Sequence, residues 1–310
     1  VARLTADHLT APARKWRRQD LHIGISGWTY PPWRGVFYPK KLAHRLELEF
    51  ASGEFNSIEI NGSFYSLQRP SSYERWYADT PPGFIFSVKG PRFITHMKKL
   101  RDVAVPLANF LASGVLCLRE KLGPILWQFP PNFGWNAERF TEFFELLPHD
   151  TRAAAKLATN HDDKLKGGAW TKTDATRPIR HAVEIRHPTF MVPEFFALLR
   201  RHNIAFVVAD TASKWPYAED ITADFVYCRL HGAEQLYVSG YNDNELDWWA
   251  NRIEHWRKGK QPRDAKLATR RKSKPGQRDI YIYFDNDAKV HAPFNARTLA
   301  KKLQPQGAAI

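Results

Sequence analysis

Cysteine is nearly missing from this chain: Cys117 and Cys228 are the two thiols in 310 residues, each in an apolar context (GVLCLRE and FVYCRLH). That excludes a disulfide scaffold and a thiolate zinc site, and two reduced core thiols fit a cytoplasmic protein. No apolar run approaches the roughly 18 residues of a membrane span, so no membrane partner is expected. The first twenty residues are too polar for a signal peptide, because their basic cluster is not followed by an apolar stretch. Nucleotide signatures are absent as well: there is no GxGxxG fingerprint and no P-loop, and Gly24-Ile-Ser-Gly27 is too short to stand for either. No GxSxG elbow and no HExxH pair occurs. No dinucleotide and no other cofactor is therefore expected. Acidic side chains are in deficit too, 32 Asp and Glu against 46 Lys and Arg, for a formal charge of +14. That balance favours an anionic partner, either nucleic acid or an anionic small molecule such as a phosphorylated one.

Against these absences stand eight short β-type runs: 22–26 (HIGIS), 55–60 (FNSIEI), 84–89 (FIFSVK), 125–129 (ILWQF), 181–186 (HAVEIR), 204–210 (IAFVVAD), 225–231 (FVYCRLH) and 279–284 (DIYIYF). Most are nearly continuous apolar stretches, as parallel strands covered on both faces require. Helical segments are predicted over 42–52, 70–78, 100–113, 136–147, 192–202, 245–257 and 293–303. In 100–113, Leu100, Val103, Leu107, Phe110 and Leu111 recur at intervals of three or four and give one apolar face. The helix over 136–147 ends at Pro148, which cannot continue it. The alternation of strand and helix, read as eightfold, predicts an α/β fold, a single (β/α)8 barrel with a polar pocket at the C-terminal ends of its strands. The barrel domain is placed at 21–304, after a basic extension 1–20 and before a tail 305–310.

Two insertions exceed what a barrel needs. The polar one, 150–180, has room for a short helix over 152–158. The basic one, 257–278, carries ten Lys or Arg against the single Asp264, so most of the excess charge is concentrated there. Arg257, Lys258, Lys260, Arg263, Arg270, Arg271, Lys272 and Lys274 are its candidate phosphate contacts. Ala-Lys-Leu-Ala-Thr occurs at 155–159 and again at 265–269, which is too short to mark a repeat architecture.

The opening Gly24-Ile-Ser-Gly27-Trp28-Thr-Tyr30-Pro-Pro-Trp33-Arg34-Gly35-Val-Phe37-Tyr38-Pro39 resembles the start of the DUF72 (YecE-like) family, as does Ile58-Glu59-Ile60-Asn61-Gly62-Ser63-Phe64-Tyr65. Further similar stretches follow in order: Phe86 to Arg92 with Thr95-His96, Leu122 to Pro131, Val183 to Pro188, Val208 to Thr211, Arg229 to Gly232, and Phe284 to Asp287. The resemblance covers roughly 22 to 300. It implies a TIM-type barrel and almost no biochemistry, since the family name records an unknown function. The basic stretch looks like an elaboration of the family pattern, so a nucleic-acid role resting on it need not extend to relatives.

Residues two apart on a strand share a face. Glu59 and Asn61 thus lie together at the end of the second strand, Glu184 and Arg186 on the fifth, and Tyr227, Arg229 and His231 on the seventh. Lys89, Gln128 and Asp210 end the third, fourth and sixth strands. Asn286 closes the ring after the eighth, with Asp285 as the alternative at that turn. Charged groups at the ends of apolar strands are costly to bury unless paired or used. Glu59 and Glu184 are the candidate carboxylate pair of a hydrolase, with His231 and Asp210 as further acid–base groups. The alternative is structural pairing of Glu59 with Lys89 and of Glu184 with Arg186 or Arg229. Glu59, Glu184, Asp210 and His231 have ligand chemistry, but without local ligand spacing no metal is assigned. Lys89, Arg186, Arg229 and His231 form the candidate anion site, and a desolvated Lys89 is also a candidate Schiff-base amine. His96 and His187 sit just past the third and fifth strands. Trp28, Tyr30 and Tyr65 are candidate stacking residues, while Trp127, within an apolar strand, is expected to face the helices.

The expected function is an enzyme, of hydrolase type, using paired carboxylates on a phosphorylated or otherwise anionic substrate. The alternatives are a nucleic-acid-binding protein using 257–278 and a non-catalytic barrel that holds a small ligand.

Overall fold

Alternation along each strand decides what lies inside the barrel and what lies under the helices. The structure, a computed structural model, describes residues 21–165, 167–270 and 275–304. The extension 1–20, the tail 305–310 and the basic residues Arg271, Lys272 and Lys274 lie outside the described residues. Eight parallel strands close on themselves in sequence order: β1 (Leu21–Ser26), β2 (Ser57–Ile60), β3 (Ile85–Lys89), β4 (Leu122–Gln128), β5 (His181–Glu184), β6 (Ala205–Asp210), β7 (Phe225–Leu230) and β8 (Asp279–Phe284). Closure is made by β1 on β8, with Leu21 opposite Ile280 and Ile25 opposite Phe284. Gly24 is required at the β1–β2 seam, because a Cβ there would lie 1.7 Å from the Ser57 carbonyl oxygen.

Around the barrel run α1 (Glu47–Glu54), α2 (Gly62–Tyr65), α3 (Pro70–Ala78), α4 (Ala104–Ala112), α5 (Ala137–Leu146), α6 (Thr151–Ala158), α7 (Pro193–Arg201), α8 (Asp243–Arg257) and α9 (His291–Lys302). Their starts have local causes. Asn136 and Asp150 cap α5 and α6 by accepting from the Arg139 and Ala153 amides at 2.9 and 2.7 Å, and Asn242 and Glu245 form a reciprocal capping box on α8. The layer between strands and helices is rich in aromatics, including Phe129, Phe133, Phe140, Phe190 and Phe195. Burying each contributes on the order of 2 kcal/mol.

The seven predicted helical segments leave the stretch between the sixth and seventh runs without one, and residues 211–224, between β6 and β7, contain no helix. Here Trp215-Pro216 interrupts the chain, and Glu219 and Asp220 are spent as buried acceptors. Asp220 accepts from the Ala268 and Thr269 amides at 2.6 and 3.1 Å, and the Lys266 amide donates to Glu219 at 3.1 Å. The described part of the basic stretch is therefore a strap tied to the segment entering β7. Because it links the end of α8 to the start of β8, it lies at the N-terminal end of the barrel, away from the strand ends expected to carry the site.

Candidate functional site

The barrel interior is polar over its upper half, a consequence of which residues fall on the inward phase of each strand. Ser57 and Ser87 face Tyr283 and Tyr227, with hydroxyl oxygens 2.6 and 2.7 Å apart. The next layer toward the mouth holds Ser26, Glu59, Glu184, Arg229 and Asp285.

Arg229 is its centre and is wholly buried. Nε and Nη2 donate to the two Glu59 oxygens at 3.1 and 2.8 Å, Nη1 donates to Glu184 at 2.7 Å, and Nη2 also donates to Asp285 at 2.9 Å. Glu59 accepts further from Ser26 at 2.9 Å and from the Tyr227 hydroxyl at 2.6 Å. The other Glu184 oxygen accepts from Arg186 Nε at 2.9 Å. Arg186 in turn donates to Tyr237 at 3.0 Å and lies 3.7 Å over the Trp215 ring. Burial alone would raise the Glu184 carboxyl, but Arg229 and Arg186 hold it well below the usual carboxylate range. Asp285 is likewise pulled below that range by Arg229 and His231 against the effect of burial.

His231 is fully buried beneath Tyr237, with Nδ1 3.0 Å from Asp285 and Nε2 3.3 Å from Arg229 Nη1. A guanidinium only donates, so Nε2 is the acceptor of that contact.

Three carboxylates against two guanidiniums leave this frame one negative charge, and beside it stands Lys89. Its side chain is buried and has no hydrogen-bond or ion-pair partner among the described residues; Nζ lies 4.4 Å over the Phe64 ring. Burial and then Arg229 lower its ammonium to about 8, against the opposing pull of Glu59, Asp285 and Glu184. Lys89 is pinned through its backbone, the carbonyl accepting from Ser63 Oγ at 2.7 Å. Gln128, 4% exposed, also has no side-chain partner among the described residues, and Asn61 Oδ1 is buried without one. Asp287 lies beside Tyr30, and burial followed by the nearby Asp285 charge raises its carboxyl to about 6. His96, hydrogen-bonded to Thr95, is lowered to about 4 by burial and by Arg186 and Lys89.

Several sequence expectations change here. Asp210 does not join the ring: Ala209 takes the inward phase of β6, and Asp210 turns outward to accept from Tyr241 at 3.0 Å. Asp285, not Asn286, points inward after β8; Asn286 donates to Ser239 and Asn295 outside the barrel, both at 3.0 Å. Trp28 packs between barrel and α3, edge-on to Trp76 at 5.4 Å and tilted on Phe86. Tyr65, 66% exposed, stands beside the mouth rather than in it, with Arg92 over its ring. Trp127 faces the helices, between Phe110 and Phe143. Arg186 and Arg229, expected to receive an anion, are engaged by carboxylates; Glu184 forms the ion pairs with both that were the alternative to catalysis, whereas Glu59 pairs with Arg229 and not with Lys89. His187 is occupied with Thr189 at 2.8 Å. Asp287, Trp215 and Tyr237 went unassigned by sequence reasoning. Asp285 was legible in the phase of DIYIYF, where Tyr281 and Tyr283 alternate with Ile280, Ile282 and Phe284.

At the other end of the barrel, Lys258, Lys260, Arg263, Lys266 and Arg270 are exposed, and Arg257 and Lys258 both pair with Glu254. Among the described residues no helix is long and apolar enough to cross a membrane.

A family model described as "Protein of unknown function DUF72" matches residues 22–310. Among curated sequences, the chain is 31% identical over 129 residues to UPF0759 protein YunF of Bacillus subtilis, covering 38% of this chain and 43% of that protein. It is 29% identical over 114 residues to UPF0759 protein YecE of Escherichia coli K12, covering 37% and 39%. These matches span less than half the length of either relative. The crystal structure of a DUF72 family protein from Thermotoga maritima superposes with a TM-score of 0.68 at 25% identity, over 91% of this chain and 98% of that one. A DUF72 family protein from Enterococcus faecalis gives 0.64 at 15% identity, over 91% and 95%, and shares the fold.

Proposed function

Because the chain belongs to the DUF72 family, whose description assigns no activity, we propose a function from its barrel mouth: it is an enzyme running carboxylate acid–base chemistry on a substrate with a polar reacting group. The observation that carries this reading is the pair at the end of β8. Asp285 is held ionised by Arg229, its Oδ1 without a donor among the described residues, while Asp287 is raised to about 6. Two neighbouring carboxyls whose protonation is pushed apart can act as base and acid in one step. Asp285 accepts a proton from the incoming nucleophile, water in a hydrolysis, and Asp287 supplies one to the oxygen that gains electrons. Glu59, Glu184 and Arg229 hold Asp285 in place without touching substrate, since all three are sealed from solvent. Asn61, Gln128 and Tyr30 orient the substrate. A neutral or weakly charged substrate suits the site better than a phosphorylated one, because both guanidiniums are already neutralised.

The test is a screen of ester, glycoside and carbonyl substrates with wild type, Asp285→Asn and Asp287→Asn. An activity at this site falls at least 100-fold in Asp285→Asn, the usual size of a general-base contribution, about 10² to 10⁴. In wild type kcat/KM declines as pH rises through about 6, where Asp287 loses its proton, and Asp287→Asn abolishes that limb. An activity indifferent to both substitutions refutes the assignment.

The exposed cations of the strap support a second reading, nucleic-acid binding at the far end of the barrel. Affinity for short DNA or RNA would then fall steeply with salt and be lost when Lys258, Lys260 and Arg263 are changed to Glu.

A further inference from the structure

We propose that Lys89 is a nucleophilic amine that forms an imine with an aldehyde or ketone whose apolar body lies in the groove beside the mouth. The proposal rests on the acid–base reading above and supplies its nucleophile and its substrate class. Three observations carry it.

The first is position. Lys89 ends β3 on the inward phase, next to Asp285 and below the open mouth, with nothing among the described residues bonded to Nζ. A structural lysine at this depth takes partners, as Lys121 does: its Nζ donates to the Tyr77 and Thr80 carbonyls, each at 2.7 Å. Lys89 has the burial without the partners, the arrangement that leaves an amine lone pair available.

The second is the surrounding charge. An iminium on Nζ keeps the positive charge that balances the single excess negative charge of the Glu59, Glu184 and Asp285 frame, so the covalent state costs no new unpaired ion.

The third is the groove. A cavity of about 630 Å³ opens between α2, the segment after β3 and α4, lined by Phe64, Tyr65, Pro91, Phe93, Met97 and Val105 among others. Phe64 belongs to both places, its ring under Lys89 Nζ and in the groove wall. Lys89 itself does not line the groove, so a ligand covalently held at Nζ would pass the Phe64 side chain to lie on that apolar surface, in a space of ordinary ligand size.

The step balances without a redox partner. The Nζ lone pair forms a bond to the carbonyl carbon while the carbonyl π pair moves to oxygen. That oxygen takes a proton from Asp287, and an Nζ proton passes to Asp285. Asp285 then passes that proton to the hydroxyl oxygen, which leaves as water as the nitrogen lone pair closes the C=N bond, giving the iminium beside two ionised carboxylates.

The experiment uses the full chain with phenylacetaldehyde, and with glyceraldehyde as a small polar comparison. Each is added with sodium borohydride, whose hydride reduces an imine to a stable amine, and the product is read by intact mass and peptide mapping. The expected result is one reduced adduct per chain, mapped to Lys89, formed at lower concentration by phenylacetaldehyde, and absent in Lys89→Arg. The yield should rise with pH through about 8, where the amine is freed. Val105→Glu in the groove should weaken labelling by phenylacetaldehyde and leave that by glyceraldehyde. Adducts spread over surface lysines with Lys89 unmodified overturn the proposal, a result read on wild type alone and independent of how the variants fold. Equal labelling by the two aldehydes overturns the groove as the substrate-body site. Failure here leaves the Asp285 and Asp287 assignment standing, because that is decided by the pH limb and the Asp285→Asn loss in the activity screen.

Discussion

Replacing Lys89 by Met should make this protein more stable at neutral pH, and the gain should disappear in alkali. In the folded chain the ammonium is lowered from 10.5 to about 8, mainly by burial and then by Arg229; the attraction of three carboxylates is already included in that balance and loses. At about 1.4 kcal/mol for each pH unit, holding the charge inside costs the fold roughly 3 kcal/mol wherever both states are protonated. The sign follows from proton counts. Below about 8 Lys89 is protonated folded and unfolded, and the full penalty applies. Between about 8 and 10.5 the unfolded chain holds more protons than the folded one, so wild-type stability rises with pH. Above 10.5 the penalty is gone. Met fills the same channel without a charge, so Lys89→Met should exceed wild type by about 2–3 kcal/mol at pH 7, with the difference shrinking across the 8 to 10.5 window. Urea midpoints and m-values measured for both proteins at matched pH give the comparison, and the difference between them removes the titration of every other group. A variant less stable than wild type at pH 7, or a difference that does not vary with pH, would show that Lys89 is held by compensating partners and is not a strained, available amine.

Other substitutions separate frame from mouth. Arg229→Lys keeps the charge but cannot reproduce a fork that donates to three carboxylates; the variant should lose on the order of 3–5 kcal/mol, visible as a large fall in the urea midpoint or loss of soluble protein. Asp220→Ala leaves the Ala268 and Thr269 amides without their acceptor, costing about 1–3 kcal/mol; trypsin should then cut after Lys258, Lys260, Arg263 or Lys266 while aldehyde labelling of Lys89 is unchanged. Gly24→Ala forces a methyl against the Ser57 carbonyl and should break the β1–β2 seam, read as collapse of the cooperative thermal transition.

Much of the fold was legible because strand phase and apolar continuity are local properties. All eight runs became strands, and β8 kept its predicted bounds of 279–284. What local pattern could not supply was the identity of the central cation. From sequence, Arg229, Arg186 and Lys89 are equivalent charged ends of strands. Only closure of the barrel shows that β7 brings one guanidinium within reach of β2, β5 and β8 at once, so that Arg229 becomes frame and Lys89 is left over. Asp210 was misplaced for the opposite reason: its polarity suggested the mouth, but the small residues Ala205, Val207 and Ala209 already fill the inward phase of β6. The tether of the strap was missed for a related reason, since the buried acidic pair that holds it cannot be told from solvent-exposed acids in a linear reading.

The net charge, which most strongly suggested an anionic partner, turns out to say little about the mouth. The described part of its densest source lies in a strap on the opposite end of the barrel, and a charge separated from another by more than a Debye length, about 8 Å at physiological salt, is largely screened where solvent intervenes. The frame below the mouth has its own balance, set by three carboxylates and two guanidiniums, with Lys89 and Asp287 beside it. A buried ion network of this kind is weak evidence for stability, since apolar side chains of the same size fill such a space at least as favourably. What it does accomplish is positional: it fixes Asp285 in the ionised state and sets beside Lys89 three carboxylates that offset part of the cost of positive charge on its nitrogen. The two ends therefore make separable demands on experiment. Charge reversal in the strap should alter salt-dependent association and leave amine reactivity untouched, whereas Asp285→Asn should alter amine reactivity and leave association untouched. If either substitution moves both properties, the ends are coupled through the barrel, and the site would have to be redrawn to include the strap.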